Sequence, residues 1–92
     1  MNITRGQCRA ARACLLWSQE QLAVAAGVSR TMVTDFEGGN RIPLDATTAA
    51  LRAAFENMGI EFPPRQDGRS SVVFLDPDPG LVERQRVSRR AR

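Results

Sequence analysis

The side chains available for chemistry are notable for what is missing. The 92 residues include no histidine, no tyrosine and no lysine, and all 13 basic side chains are arginine. Nucleophilic and general acid–base catalysis need a nucleophile and a base held within hydrogen-bonding reach of each other. Cys8 and Cys14 have no imidazole to activate them, and the chain has no glycine-rich phosphate loop. Two thiols in a C-x5-C spacing also fall short of the four ligands of a structural zinc site. No catalytic centre, metal or cofactor is therefore expected. Cys8 is expected in a core and Cys14 partly exposed, both as reduced thiols of a cytoplasmic protein. What remains is hydrogen-bonding chemistry from a few arginine and polar side chains, and such chemistry depends on placement.

Charge narrows where that placement matters. The net charge is +3, but residues 1–60 hold six Arg against five acids, and residues 61–83 are net negative by three. The tail 84–92, RQRVSRRAR, alone carries +5. The high isoelectric point is thus a property of the tail, and the body is not a uniformly basic surface. No apolar run approaches a membrane span, and MNITRGQCRAARA is too polar for a signal peptide.

The elements that position these side chains are legible from local signals. Within WSQEQLAVAAGVSRTMVTDFEGG, residues 17–39, two helix starts lie close together. Ser18 is a good N-cap, Gln21 three residues on completes a capping box, and Trp17 and Leu22 have the spacing of a hydrophobic staple. Ser29 caps the second start, with Val28 and Val33 at staple spacing and Met32 where a box residue would stand. Gly27 suits the left-handed position that ends the first helix. Helix, short glycine turn, helix is the helix-turn-helix signature. The periodicity predicts helices over 5–16 (Thr4 as cap; Cys8, Ala11 and Leu15 inward), 19–26 (Leu22, Ala23 and Ala26 inward) and 30–37 (Val33 and Phe36 inward). A fourth helix is predicted over 45–58, with Leu51, Ala54, Phe55 and Met58 as its apolar stripe. Gly38-Gly39 stops the third helix, Pro43 forbids a continuous helix through the loop at 38–44, and Gly59 stops the fourth.

Beyond Gly59 the period shortens. Residues 60–62 alternate, and 71–75, SVVFL, have strand character before DPDPG. The two segments can pair as a hairpin, and 81–90 can form a further short helix. The expected architecture is mainly α: a compact domain of four to five helices over 1–59, a short strand-forming segment over 60–80, and a flexible basic tail over 81–92. Val72, Val73, Phe74 and Leu75 are four apolar residues in succession, which predicts burial on both sides of the strand. With little helical surface to spare, a second chain is the expected cover. Ile60, Phe62 and 72–75 are accordingly expected at a homodimer interface, and a chain ended after Met58 is expected to fold as a monomer.

Residues 8–62 resemble the DNA-binding domain of the lambda-repressor/Cro/Xre family. Arg12, Ser18-Gln19-Glu20-Gln21-Leu22-Ala23, Ala26-Gly27-Val28-Ser29, Val33, Phe36-Glu37, Gly39, Arg41 and Pro43 carry the resemblance. It extends to Gly59-Ile60-Glu61-Phe62, and departs from the family pattern at Thr48, where leucine is usual, and at Asp35. Such domains place the recognition helix in the major groove. The resemblance then implies double-stranded DNA as partner, with base contacts from Arg30, Thr31, Thr34 and Asp35. Arg30 would meet guanine O6 and N7, Thr31 a thymine methyl or a phosphate, and Asp35 cytosine N4, unless it only holds Arg30. Phosphate contacts would come from Gln19, Ser29, Asn40 and Arg41. Arg12 and Glu37 would form a structural pair. The function so implied is a cytoplasmic, sequence-specific transcriptional regulator that binds a pseudo-palindromic operator as a homodimer. The alternative is an antitoxin that binds a toxin through its C-terminal segment and autoregulates its operon.

Overall fold

The structure, a computed structural model, describes residues 2–65 and 67–75. The expected helix at 81–90 and the basic tail lie outside the described residues. The chain is mainly helical. Its elements run α1 (Arg5–Leu15), α2 (Gln19–Ala26), α3 (Arg30–Gly38), α4 (Asp45–Glu56), β1 (Ile60–Glu61) and β2 (Val73–Phe74). β1 and β2 pair antiparallel, with Ile60 opposite Phe74 and Glu61 opposite Val73.

Each of the first three helices begins at a hydroxyl cap. Thr4 and Ser18 form reciprocal boxes with Gln7 and Gln21, and the Ser29 hydroxyl accepts from the Met32 N–H at 3.1 Å. α2 ends at Gly27, whose φ of +70° lets the chain turn sharply into α3. α1 ends differently, at Leu16, a leucine with φ of +57° and ψ of +35°. No glycine or asparagine marks that turn, so the sequence runs the helix one residue too far. The turn brings Trp17 back over the bundle, where its ring stacks on Phe55 at 5.9 Å between centroids. Phe55 in turn meets Phe62 edge-on, also at 5.9 Å.

The core is one cluster drawn from every helix and from β1. Cys8, Leu22, Val33, Leu51 and Phe55 have no exposed surface. Three sequence expectations differ from the structure. α4 ends at Glu56, so Met58 falls outside the helical stripe and is half exposed. Ile60 and Phe62 are 1% and 7% exposed within a single chain, so neither is available to a partner. Their cover comes from the chain's own helices and from the Phe55 ring. The segment 72–75 does not have two buried faces either. It follows the ordinary alternation of a strand: Val72 and Phe74 pack against the core, while Val73 and Leu75 face outward. Gln7 ties this segment to α1. Its carbonyl accepts from Thr4 N–H, while its amide donates to the Ser71 carbonyl at 2.9 Å. Thr48 is buried and donates its hydroxyl hydrogen to the Leu44 carbonyl at 3.3 Å.

Candidate nucleic-acid interface

The inner face of α3 is fixed by Val33, Phe36 and Glu37, all buried. Helical geometry then leaves Arg30, Thr31 and Thr34 on the outer face, and all three are exposed. Among the described residues Arg30 has no ion-pair partner, so its five donors are free to meet acceptors outside the chain. Asp35 is half-buried at the margin of this face. Among the described residues its ion pair is with Arg41, whose Nη2 lies 3.9 Å from Oδ2, and not with Arg30. An ion pair of that length between partly exposed side chains is weak. Asn40 and Arg41 are exposed in the loop after α3, which opens at Gly39 with φ of +77°. The Arg5 guanidinium packs directly over that glycine, where any Cβ would collide with it.

Behind the exposed face lies a polar network centred on Glu37, whose side chain is 4% exposed. Arg12 reaches it from α1 with a two-pronged grip: Nε donates to Oε2 and Nη2 to Oε1, each at 2.7 Å. The remaining Arg12 nitrogen, Nη1, donates to the Trp17 carbonyl at 3.0 Å and so braces the turn before α2. The Cys8 thiol donates to Oε2 at 3.1 Å, and Gln19 Nε2 donates to Oε1 at 3.1 Å. Arg9 donates from Nη1 to the backbone carbonyl of Glu37 at 2.7 Å. Thr34 extends the network to the surface, its hydroxyl donating to Gln19 Oε1 at 2.9 Å.

The electrostatics follow from this geometry. Burial pushes the Glu37 carboxyl up, but the hydrogen bonds from Arg12, Cys8 and Gln19 outweigh it and hold the group below the usual carboxylate range. Burial, followed by the bond to Glu37, pushes the Cys8 thiol well above its ordinary value. Cys8 is therefore a thiol donor and not a reactive thiolate. The network joins α1, the turn before α2, α2 itself and α3, and it sets the angle at which α3 presents its outer face.

Two residues assigned to phosphate contact are engaged internally. Gln19 is half-buried and bonded at both ends of its amide, to Glu37 and to Thr34. The resemblance implies a phosphate contact from this first-turn side chain, whose amide is here held within the chain. The Ser29 hydroxyl serves as the cap of α3. Gln19 also lines a shallow depression of about 380 Å³ with Arg12, Ser18, Glu20 and Arg30. Glu20 makes that depression of mixed charge rather than a plain anion site. The sequence reading missed Cys8 and Arg9 as partners of Glu37, because thiol–carboxylate and side chain–backbone contacts between distant residues leave no local signal. No group of three or more His, Cys, Asp or Glu gathers at one point among the described residues. No described helix is long and apolar enough to cross a membrane. In comparisons with known proteins, no family model and no curated protein matches the chain.

Proposed function

We propose that this protein is a sequence-specific DNA-binding regulator of the helix-turn-helix type, with α3 lying in the major groove. One observation carries the reading. α3 follows α2 across a single glycine turn and is locked on its inner side by the Glu37 network, and it offers Arg30, Thr31 and Thr34 outward with no competing ion pair on Arg30 among the described residues. A rigid helix bearing a few outward-facing hydrogen-bonding side chains is what reading of base edges requires. Asn40 and Arg41 stand beside that face and suit phosphate oxygens. One small domain makes few base contacts, so a homodimer on a pseudo-palindromic operator supplies the needed discrimination. The outward apolar pair Val73 and Leu75 supports the free edge of the hairpin as the contact between copies.

Selection of bound sites from random duplex DNA tests the reading. The expected result is a two-fold symmetric motif, with half-site centres about 34 Å or a multiple of it apart. Recovery of no enriched sequence overturns it.

A further inference from the structure

The network imposes a hydrogen-bonding polarity on the surface of α3. An ionised carboxylate accepts hydrogen bonds and cannot donate them. Glu37 is held ionised by Arg12, so the group that faces it from Gln19 must be the amide nitrogen, and Nε2 lies 3.1 Å from Oε1. The orientation of the Gln19 amide is thereby fixed, with its oxygen turned toward Thr34. An amide oxygen has no hydrogen to give. The Thr34 hydroxyl, 2.9 Å away, must therefore spend its single hydrogen on Gln19. Toward solvent the hydroxyl presents lone pairs only.

This has a consequence for recognition, and it rests on the DNA-binding reading above. We infer that Thr34 is a specificity-determining residue that acts only as an acceptor and selects a base with an amino group in the major groove, adenine N6 or cytosine N4. A threonine with an unconstrained hydroxyl rotates to suit donors and acceptors alike and discriminates poorly. Thr34 cannot do so while Gln19 holds its hydrogen. Guanine O6 and N7, thymine O4 and phosphate oxygens offer acceptors only, and each would face lone pair against lone pair. Gln19 is the positioning residue of this arrangement: it carries the polarity of a buried ion to the surface without itself touching a base.

The test is selection from random duplex DNA with the full chain and three variants, Thr34→Val, Thr34→Ser and Gln19→Met. Wild type is expected to require adenine or cytosine on the contacted strand at one position of each half-site. Thr34→Val keeps the shape of the side chain and should lose roughly five- to tenfold of preference at that position, with the rest of the motif intact. Thr34→Ser should retain the preference. Gln19→Met frees the hydroxyl and should admit guanine and thymine at the same position. Removing the amino group from the contacted base should cost wild type the same factor and Thr34→Val nothing. A preference for guanine or thymine there overturns the inference. So does a Thr34→Val variant that weakens all sequences alike, or one whose motif is unchanged. In each of these cases the DNA-binding reading stands. A wild-type protein that selects no motif overturns both.

Discussion

Arg12 and Glu37 meet through two hydrogen bonds of 2.7 Å, but they are not equally exposed: the Arg12 side chain is 20% accessible and that of Glu37 only 4%. The two halves of the pair are therefore not equivalent under mutation. Breaking a buried pair by removing one partner costs about 3–5 kcal/mol, because the other charge is stranded. Arg12→Ala strands the more deeply buried ion and should lie at the upper end of that range. Glu37→Ala leaves an arginine that can reach water, and should lie at the lower end. Urea unfolding of the two variants compares them directly, and equal losses would contradict the asymmetry.

Stability should fall at both ends of the pH scale, for two residues in contact. Glu37 is held below its unfolded value of about 4.3, so on acidification the unfolded chain takes the proton first. Its contribution is complete above that value and is lost as pH falls through the depressed folded value. Cys8 is shifted the other way. A free thiol ionises near pH 8.5, while the buried one keeps its proton. Its contribution is complete below about 8.5 and declines above it by up to about 1.4 kcal/mol per pH unit. With no lysine or tyrosine in the chain, few other groups titrate there. Urea midpoints between about pH 3 and 10 should show both limbs. Glu37→Gln should flatten the acid limb and Cys8→Ala the alkaline one.

Because Ile60 and Phe62 belong to the core, the helices should not stand alone. A chain ended after Met58 uncovers the Phe55 ring and loses two large buried side chains. It should lack a cooperative thermal transition. In the full chain, Ile60→Ala should cost about 2–5 kcal/mol. A truncated chain that melts cooperatively would show that the helical core closes without β1.

Dimerisation, if it uses the hairpin edge, should depend on Val73 and Leu75 and not on their inward neighbours. Leu75 is 78% exposed and Val73 45%, so charge at both sites leaves the core untouched. Lysine is an effective block at a strand edge. The double variant Val73→Lys, Leu75→Lys should sediment as a monomer at tens of micromolar, with wild type a dimer and the two melting alike after allowance for dissociation. A variant that still dimerises would move the contact to another surface, such as exposed Ile42 and Leu44.

The boundaries of α2 and α3 are legible because their signals are local: a serine cap and a glycine at the exit of each, with a glutamine three residues after the cap in α2. The strand segment misleads for an equally local reason. Four apolar residues in a row count as a buried run, and composition cannot show that Val73 and Leu75 face away while Val72 and Phe74 face in. Met58 fits the α4 stripe in the sequence because a helical period continues past a helix that has already stopped at Glu56. In the sequence only a family resemblance pairs Arg12 with Glu37. The rest of the network was invisible, because Cys8 lies 29 residues from Glu37 and Thr34 lies 15 from Gln19. Such contacts exist only once three helices have been brought together, and no spacing in the sequence encodes them.

Leu16 shows where this fold has room for improvement. A leucine in the left-handed region bears a steric cost of roughly 1–2 kcal/mol. Its side chain, 89% exposed, gains almost no burial in return. The turn itself is indispensable, since it swings Trp17 onto Phe55 and presents the Trp17 carbonyl to Arg12. The residue that makes the turn is replaceable. Leu16→Asn keeps the backbone path, relieves the clash and avoids the added unfolded-state freedom of glycine. A gain of about 1 kcal/mol would raise the melting temperature by about 4–8 °C. The substitution touches neither the Glu37 network nor the outer face of α3. It therefore offers a sturdier parent in which costly changes to either can be made and still leave a folded protein to measure.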